Sequence, residues 1–159
     1  MERIGIYGGT FNPPHLGHIG AARCAAKALG LDKLLVIPDR IAPHKQLPAD
    51  SPTPEHRLAM LCLSLADEPG MEVSDLELKR EGISYTYQTV EQLREQYPQA
   101  KLYLLMGTDM FLSFLSWREP GRILRHVTLA VMYRGEKGEA AAIEVQKAKM
   151  EALGAEIEL

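Results

Sequence analysis

The sequence predicts a doubly wound α/β fold: a parallel sheet with helices on both faces, in a single domain over residues 1–159. Three observations carry that prediction. Short apolar runs with strand character alternate along the chain with longer stretches of helical periodicity. Breaks rich in glycine and proline separate them. The size, 159 residues with 46% apolar and 25% charged content, suits one hydrophobic core.

The elements follow in order. Ile4 to Tyr7 reads as a short buried strand, and from about His18 to Leu29 the set Ile19, Ala22, Ala26 and Leu29 has helical spacing, with Gly30 as the stop. Leu34 to Ile37 is a second strand ended by Pro38, after which proline and polar residues from Pro38 to Pro54 deny regular structure. Thr53 caps a helix with Pro54 in its first turn and an apolar stripe of Leu58, Leu61, Cys62 and Leu65. Met71 to Leu78 alternates like a third strand. Ser84-Tyr85-Thr86 reads as a helix start, with Tyr87, Val90, Leu93 and Tyr97 on one face. Lys101 to Met106 is a continuous apolar strand, and the following stretch has room for two short helices broken near Trp117 to Gly121. Val127 to Tyr133 is a strand, Glu139 to Leu153 a helix closed by Gly154, and Ala155 to Leu159 the start of one more strand.

A formal charge of −3 gives no general attraction to nucleic acid or to an anionic membrane, so neither is expected as a partner. Cys24 and Cys62 stand far apart with no C-x-x-C pair, which reads as two buried, reduced thiols. The amino-terminal residues lack the apolar stretch of a signal peptide, and no segment approaches the ~18 apolar residues that span a bilayer. The expected location is the cytoplasm.

Chemistry concentrates where the strands end. Ligands of such sheets bind beyond the carboxyl ends of the strands, and there the sequence places Gly8-Gly9-Thr10-Phe11, Gly107-Thr108-Asp109 and Tyr133-Arg134-Gly135. Gly8 and Gly9 have no side chains, which lets the backbone turn tightly and approach a phosphate, while the next helix offers free N–H groups. His15 and His18, three apart, fall on one side of the first helical turn with Gly17 between them. Imidazoles donate hydrogen bonds to phosphate oxygens. A single histidine would more often be a cap or surface residue. Zinc is disfavoured because no Cys, Asp or Glu lies in the loop, and the residues match neither the dinucleotide fingerprint nor a Walker A lysine. Asp109 suits either a ribose hydroxyl or a helix cap, and Arg134 either a phosphate or a surface ion pair.

The stretch GGTFNPPHLGH resembles the G-G-x-F-x-P-x-H-x-G-H signature of nucleotidyltransferases. Together with IPDRIAPHKQ, ELKREGISYTYQTV, LLMGTDMFLSFLSW and VMYRG, nearly the whole chain is similar to bacterial nicotinate mononucleotide adenylyltransferases. That resemblance implies a Rossmann-like fold of nucleotidyltransferase type. It also implies a reaction in which nicotinate mononucleotide attacks the α-phosphate of ATP, with Mg2+ carried by the phosphates and no metal ligands from the protein.

On the same resemblance His15 and His18 are catalytic, and Gly8, Gly9, Thr10, Phe11, Gly107, Asp109 and Arg134 hold ATP. His44 and Lys45, otherwise readable as solvated loop residues, approach the mononucleotide phosphate. Ser84, Tyr85 and Thr86 supply amides for the nicotinate carboxylate, and Trp117 stacks on the pyridine ring, against its alternative as a core-filling aromatic. Gly135 stands where that family commonly has proline. The family's S-S-T-x-I-R motif, expected after the last strand, is missing before Leu159, so a carboxyl-terminal truncation is expected, with weak or absent turnover in this form. A homo-oligomer is compatible with the sequence. Phosphopantetheine adenylyltransferase is an alternative, disfavoured by His15, by Ser84-Tyr85-Thr86 and by Trp117; a non-catalytic nucleotide-binding fragment is another.

Overall fold

Alternation within the apolar strands decides which face each residue covers, and in the computed structural model every strand runs parallel to its neighbours. The structure describes residues 2–9, 16–39, 53–80, 85–132 and 139–158. The strands are β1 (Arg3–Gly9), β2 (Lys33–Pro38), β3 (Met71–Val73), β4 (Lys101–Gly107), β5 (Val127–Met132) and β6 (Ile157–Glu158). The helices are α1 (Leu16–Leu29), α2 (Pro54–Leu65), α3 (Thr86–Gln96), α4 (Thr108–Ser113), α5 (Pro120–Leu124) and α6 (Glu139–Glu151), with a 3-10 turn at Phe114–Ser116. The sheet order is β3-β2-β1-β4-β5-β6, the doubly wound arrangement predicted from the element order.

Two cores flank this sheet. Ile4, Ile6, Leu35, Ile37, Leu102, Leu104 and Met106 face a larger one, closed by Val90 and Leu93 of α3, Phe111 of α4, Ile123 of α5 and Ile143 of α6. Leu34, Val36, Tyr103 and Leu105 point the opposite way, where Ala22 of α1 and Leu61 and Leu65 of α2 cover them. Burial on both faces explains why the strands read as continuous apolar runs. Helices α1 and α6 stop alike: Gly30 and Gly154 take left-handed conformations (φ 61° and 91°), and the next residue's amide reaches back to Ala26 O (3.0 Å) and Met150 O (3.1 Å). Thr53 caps α2 as predicted, its hydroxyl accepting from the His56 amide at 3.2 Å.

Three expectations are corrected. The third strand is only Met71–Val73, because Ser74 N makes the last bond to β2, at Val36 O (2.9 Å), and the chain then turns. Gly8 and Gly9 continue β1, paired with Ile37 and Pro38, rather than forming the turn after it. Cys24 and Cys62 are exposed, not buried. In α2 the buried line runs Arg57, Leu61, Leu65, and Cys62 lies one residue off it.

Candidate functional site

Because every strand is parallel, the carboxyl ends of β1, β4 and β5 share one edge. Tyr7 pairs with Leu105, Met106 with Val131 and Gly107 with Met132. The order of connections reverses between β1 and β4, which is the crevice where open α/β sheets bind ligands. Two glycines stand at this point without a packing reason among the described residues. Neither Gly8 nor Gly107 has positive φ. A Cβ on Gly8 would meet only Ile37 O, at 3.8 Å, and one on Gly107 would meet nothing within 4 Å among the described residues. Gly5, three residues earlier, is a glycine for the protein's own packing, since its Cβ would come within 2.5 Å of Leu31 Cδ1. The described residues thus leave room beside both glycines.

Helix α1 begins at Leu16, so Gly17 and the backbone of His18 lie in its first turn, which carries no acidic residue. The amino end of this 14-residue helix is therefore electrostatically open to an anion. Thr10, Phe11, His15, His44, Lys45, Ser84 and Arg134 lie outside the described residues, as does the side chain of His18.

Beyond β4, Gly107 is the N-cap of α4 and Asp109 sits exposed in its first turn. The capping alternative for Asp109 therefore falls, and its carboxylate stays exposed beside the sheet edge. Thr108 is buried and donates through Oγ1 to Glu139 Oε2 at 2.6 Å, tying the start of α4 to the start of α6. At the end of β2, Asp39 Oδ1 accepts from Arg57 Nη1 at 3.2 Å, with Arg57 only 1% exposed. Sequence reading assigned neither pair. The signal for Arg57 was its place four and eight residues before Leu61 and Leu65 on one helix face; Thr108 and Glu139 left no comparable pattern.

The second cluster joins α3 to the segment after α4. Trp117 is half-buried: its ring leans on Phe114 (centroids 4.9 Å apart, planes at 48°) and its Nε1 donates to Ser113 Oγ at 3.2 Å. Packing and partial exposure coexist here, so the core alternative describes only part of the indole. Tyr85 is the N-cap of α3 and offers no side-chain cap, which leaves the Thr86 amide without a partner among the described residues. Arg118 lies 4.9 Å from the centre of the Tyr85 ring and donates through Nη1 to its hydroxyl at 3.0 Å, so the structure brings Tyr85 and Thr86 to the Trp117 segment. The amides of Arg118 and Glu119 also lack partners among the described residues.

Behind the start of α3, Arg80 donates to Gln88 Oε1 (3.3 Å) and to Thr89 Oγ1, while Thr89 donates to buried Glu77 at 2.7 Å. Arg122 donates through Nε to Glu91 Oε2 at 2.8 Å; this bond raises the arginine's pKa and lowers the carboxyl's from their ordinary values. Among the described residues no group of three or more His, Cys, Asp or Glu could hold a metal ion, and no helix is long and apolar enough to cross a membrane.

A cytidylyltransferase-like family model matches residues 6–153. A protein of Dictyoglomus turgidum named "Probable nicotinate-nucleotide adenylyltransferase" is 41% identical over 135 residues, covering 85% of this chain and 66% of its own length. A protein of the same name from Symbiobacterium thermophilum is 39% identical over 142 residues, covering 89% of this chain and 68% of its own. The chain thus spans about two thirds of the length of these relatives, 66% and 68%. Among solved structures, the Plasmodium falciparum nicotinic acid mononucleotide adenylyltransferase complexed with NaAD superposes with a TM-score of 0.76 at 20% identity, over 92% of this chain and 71% of that one. At that identity the likeness is one of fold.

Proposed function

This chain belongs to the cytidylyltransferase-like family, and from that premise we propose that it transfers the adenylyl group of ATP to nicotinate mononucleotide, a step of NAD biosynthesis. A phosphate oxygen of the mononucleotide attacks the α-phosphorus of ATP, a new phosphorus–oxygen bond forms, and the bond to the β-phosphate breaks. Nicotinate adenine dinucleotide and pyrophosphate leave. Mg2+ enters with ATP, bound by its phosphates. The reading takes residues 1–159 as one nucleotidyltransferase unit acting in the cytoplasm.

Transfer at phosphorus needs positioning and charge stabilisation more than covalent help from the protein. Gly8, Gly9 and Gly107 let the nucleotide approach the sheet edge, where Thr10 and Phe11 also meet it. His15 and His18, at the open start of α1, hold the triphosphate and steady the charge that grows on pyrophosphate. Asp109 accepts from a ribose hydroxyl, and Arg134 meets a phosphate. His44 and Lys45 take the mononucleotide phosphate. Its pyridine ring stacks on the open side of Trp117, and its carboxylate receives the amides of Ser84, Tyr85 and Thr86 and those after Trp117.

The observation that carries the reading furthest is the joining of Trp117 to the uncapped start of α3 through Arg118 and Tyr85. An aromatic face joined to amides that have no partner among the described residues suits a flat ring bearing a carboxylate. Purified protein given ATP, Mg2+ and nicotinate mononucleotide should release pyrophosphate, though only weakly for residues 1–159, and less with nicotinamide mononucleotide. His18→Ala should lower turnover roughly 100- to 1,000-fold. Turnover with phosphopantetheine instead, or folded His18→Ala at full rate, contradicts the proposal.

A further inference from the structure

The turn after Trp117 is held in a conformation that its own sequence does not favour. Glu119 has φ 53° and ψ 51°, and it is the one non-glycine residue with positive φ among those described. Such a conformation persists only where the surroundings over-determine it. Two arginines, four residues apart, flank this residue, and each is seated on a tyrosine of α3 or its cap. Arg118 covers the Tyr85 ring and donates to its hydroxyl, while Arg122 lies 4.6 Å from the centre of the Tyr87 ring. The two tyrosine rings stack on each other at 6.1 Å with 27° between planes. Arg122 also grips Glu91, one helical turn beyond Tyr87, with both Nε and Nη2.

An exposed ion pair alone adds little to stability. A planar guanidinium that is stacked on a ring and also hydrogen-bonded along one edge instead fixes geometry. We infer that Arg118 and Arg122 form a latch that fixes the Trp117–Glu119 turn against the first turn of α3, making both arginines positioning residues for the mononucleotide. The inference rests on the function proposed above. The latch aligns the indole face and the amides on its two sides before ligand arrives, which spares the binding step the cost of ordering them.

Trp117 is the sole tryptophan of the 159 residues, so its emission reports this turn alone. The test measures acrylamide quenching of Trp117 without ligand, then titrates nicotinate mononucleotide and, separately, a fluorescent ATP analogue with Mg2+. The variants are Arg122→Met, the shape-conserving Glu91→Gln, and Tyr85→Phe, which keeps the ring and removes the hydroxyl acceptor. Arg23→Met on α1, which breaks an exposed ion pair with Glu68, is the control. Expected results are higher quenching in all three latch variants and mononucleotide binding weakened about tenfold in Arg122→Met, with ATP-analogue affinity unchanged and the control like wild type. Unchanged quenching and mononucleotide affinity in folded latch variants overturn the latch, and so does an equal loss of affinity for both ligands. A wild-type protein blind to nicotinate mononucleotide overturns the function instead, and the ligand-free quenching still decides whether the arginines hold the turn.

Discussion

Gly5 and Gly8 lie on the same strand and are glycines for opposite reasons. A Cβ at Gly5 would press against Leu31 Cδ1 at 2.5 Å and Leu34 Cδ1 at 2.7 Å, whereas at Gly8 it would reach, among the described residues, only ordinary contact, 3.8 Å from Ile37 O. Gly5→Ala should therefore lower stability by about 1–3 kcal/mol through overpacking. Gly8→Ala should leave the melting temperature within about a degree and weaken ATP instead. Thermal melts beside nucleotide titrations separate the two effects; a Gly8→Ala protein with full ATP affinity would remove that residue from the site. This contrast also marks what one residue's identity reveals. The glycine pair was legible as a place of close approach, but its conformation was not: the expected tight turn needs the loop to begin at Gly8, and the ladder to Ile37 and Pro38 carries the strand through it.

At the scale of elements, the contact between α3 and α5 depends on a carboxylate. The Glu91 pKa is lowered in the folded protein, first because Arg122 hydrogen-bonds it, with His126 and Arg125 adding favourable charge; Glu119 and Tyr87 also face Arg122. A lowered folded pKa means that the stabilisation is complete above the unfolded value, about 4.3, and is lost as pH falls through the folded one. Acrylamide quenching of Trp117 should therefore rise below about pH 4 in wild type and stay flat across that range in Glu91→Gln. Element order, the two glycine stops, the Thr53 cap and the break around Trp117 were all readable, because each follows from local periodicity or backbone preference. Tertiary partners decided the rest. Met71 to Leu78 alternates like a strand, yet β2 offers bonds only as far as Ser74, and Leu76 and Glu77 are buried in a turn. Arg57 occupies a core position on α2 because Asp39, far off in sequence, accepts from it; periodicity alone puts Leu58 and Cys62, not Arg57, beside Leu61 and Leu65. The arginine–tyrosine cluster was invisible for the same reason, since nothing in the order of residues pairs 85 with 118 or 91 with 122.

Across the whole molecule the two cores share their strands, so they should not melt separately. Leu104 and Leu105 are neighbours in β4, 4% and 2% exposed, and they face opposite cores. Replacing either by Ala should cost about 2–5 kcal/mol, and both variants should shift a single common transition. A biphasic melt in one of them would mean that the layers fold independently. The position of β1 has a further consequence for synthesis. It lies between β2 and β4, and its second neighbour begins only at Lys101. While the nascent polypeptide is shorter than that, the flank of Arg3 to Tyr7 that will meet β4 is an unpaired border, open to strand addition from another chain. The crevice thus has only one wall until β4 has left the ribosome, and a destabilised β4 should reveal itself as aggregation during expression before it reveals itself as lost chemistry.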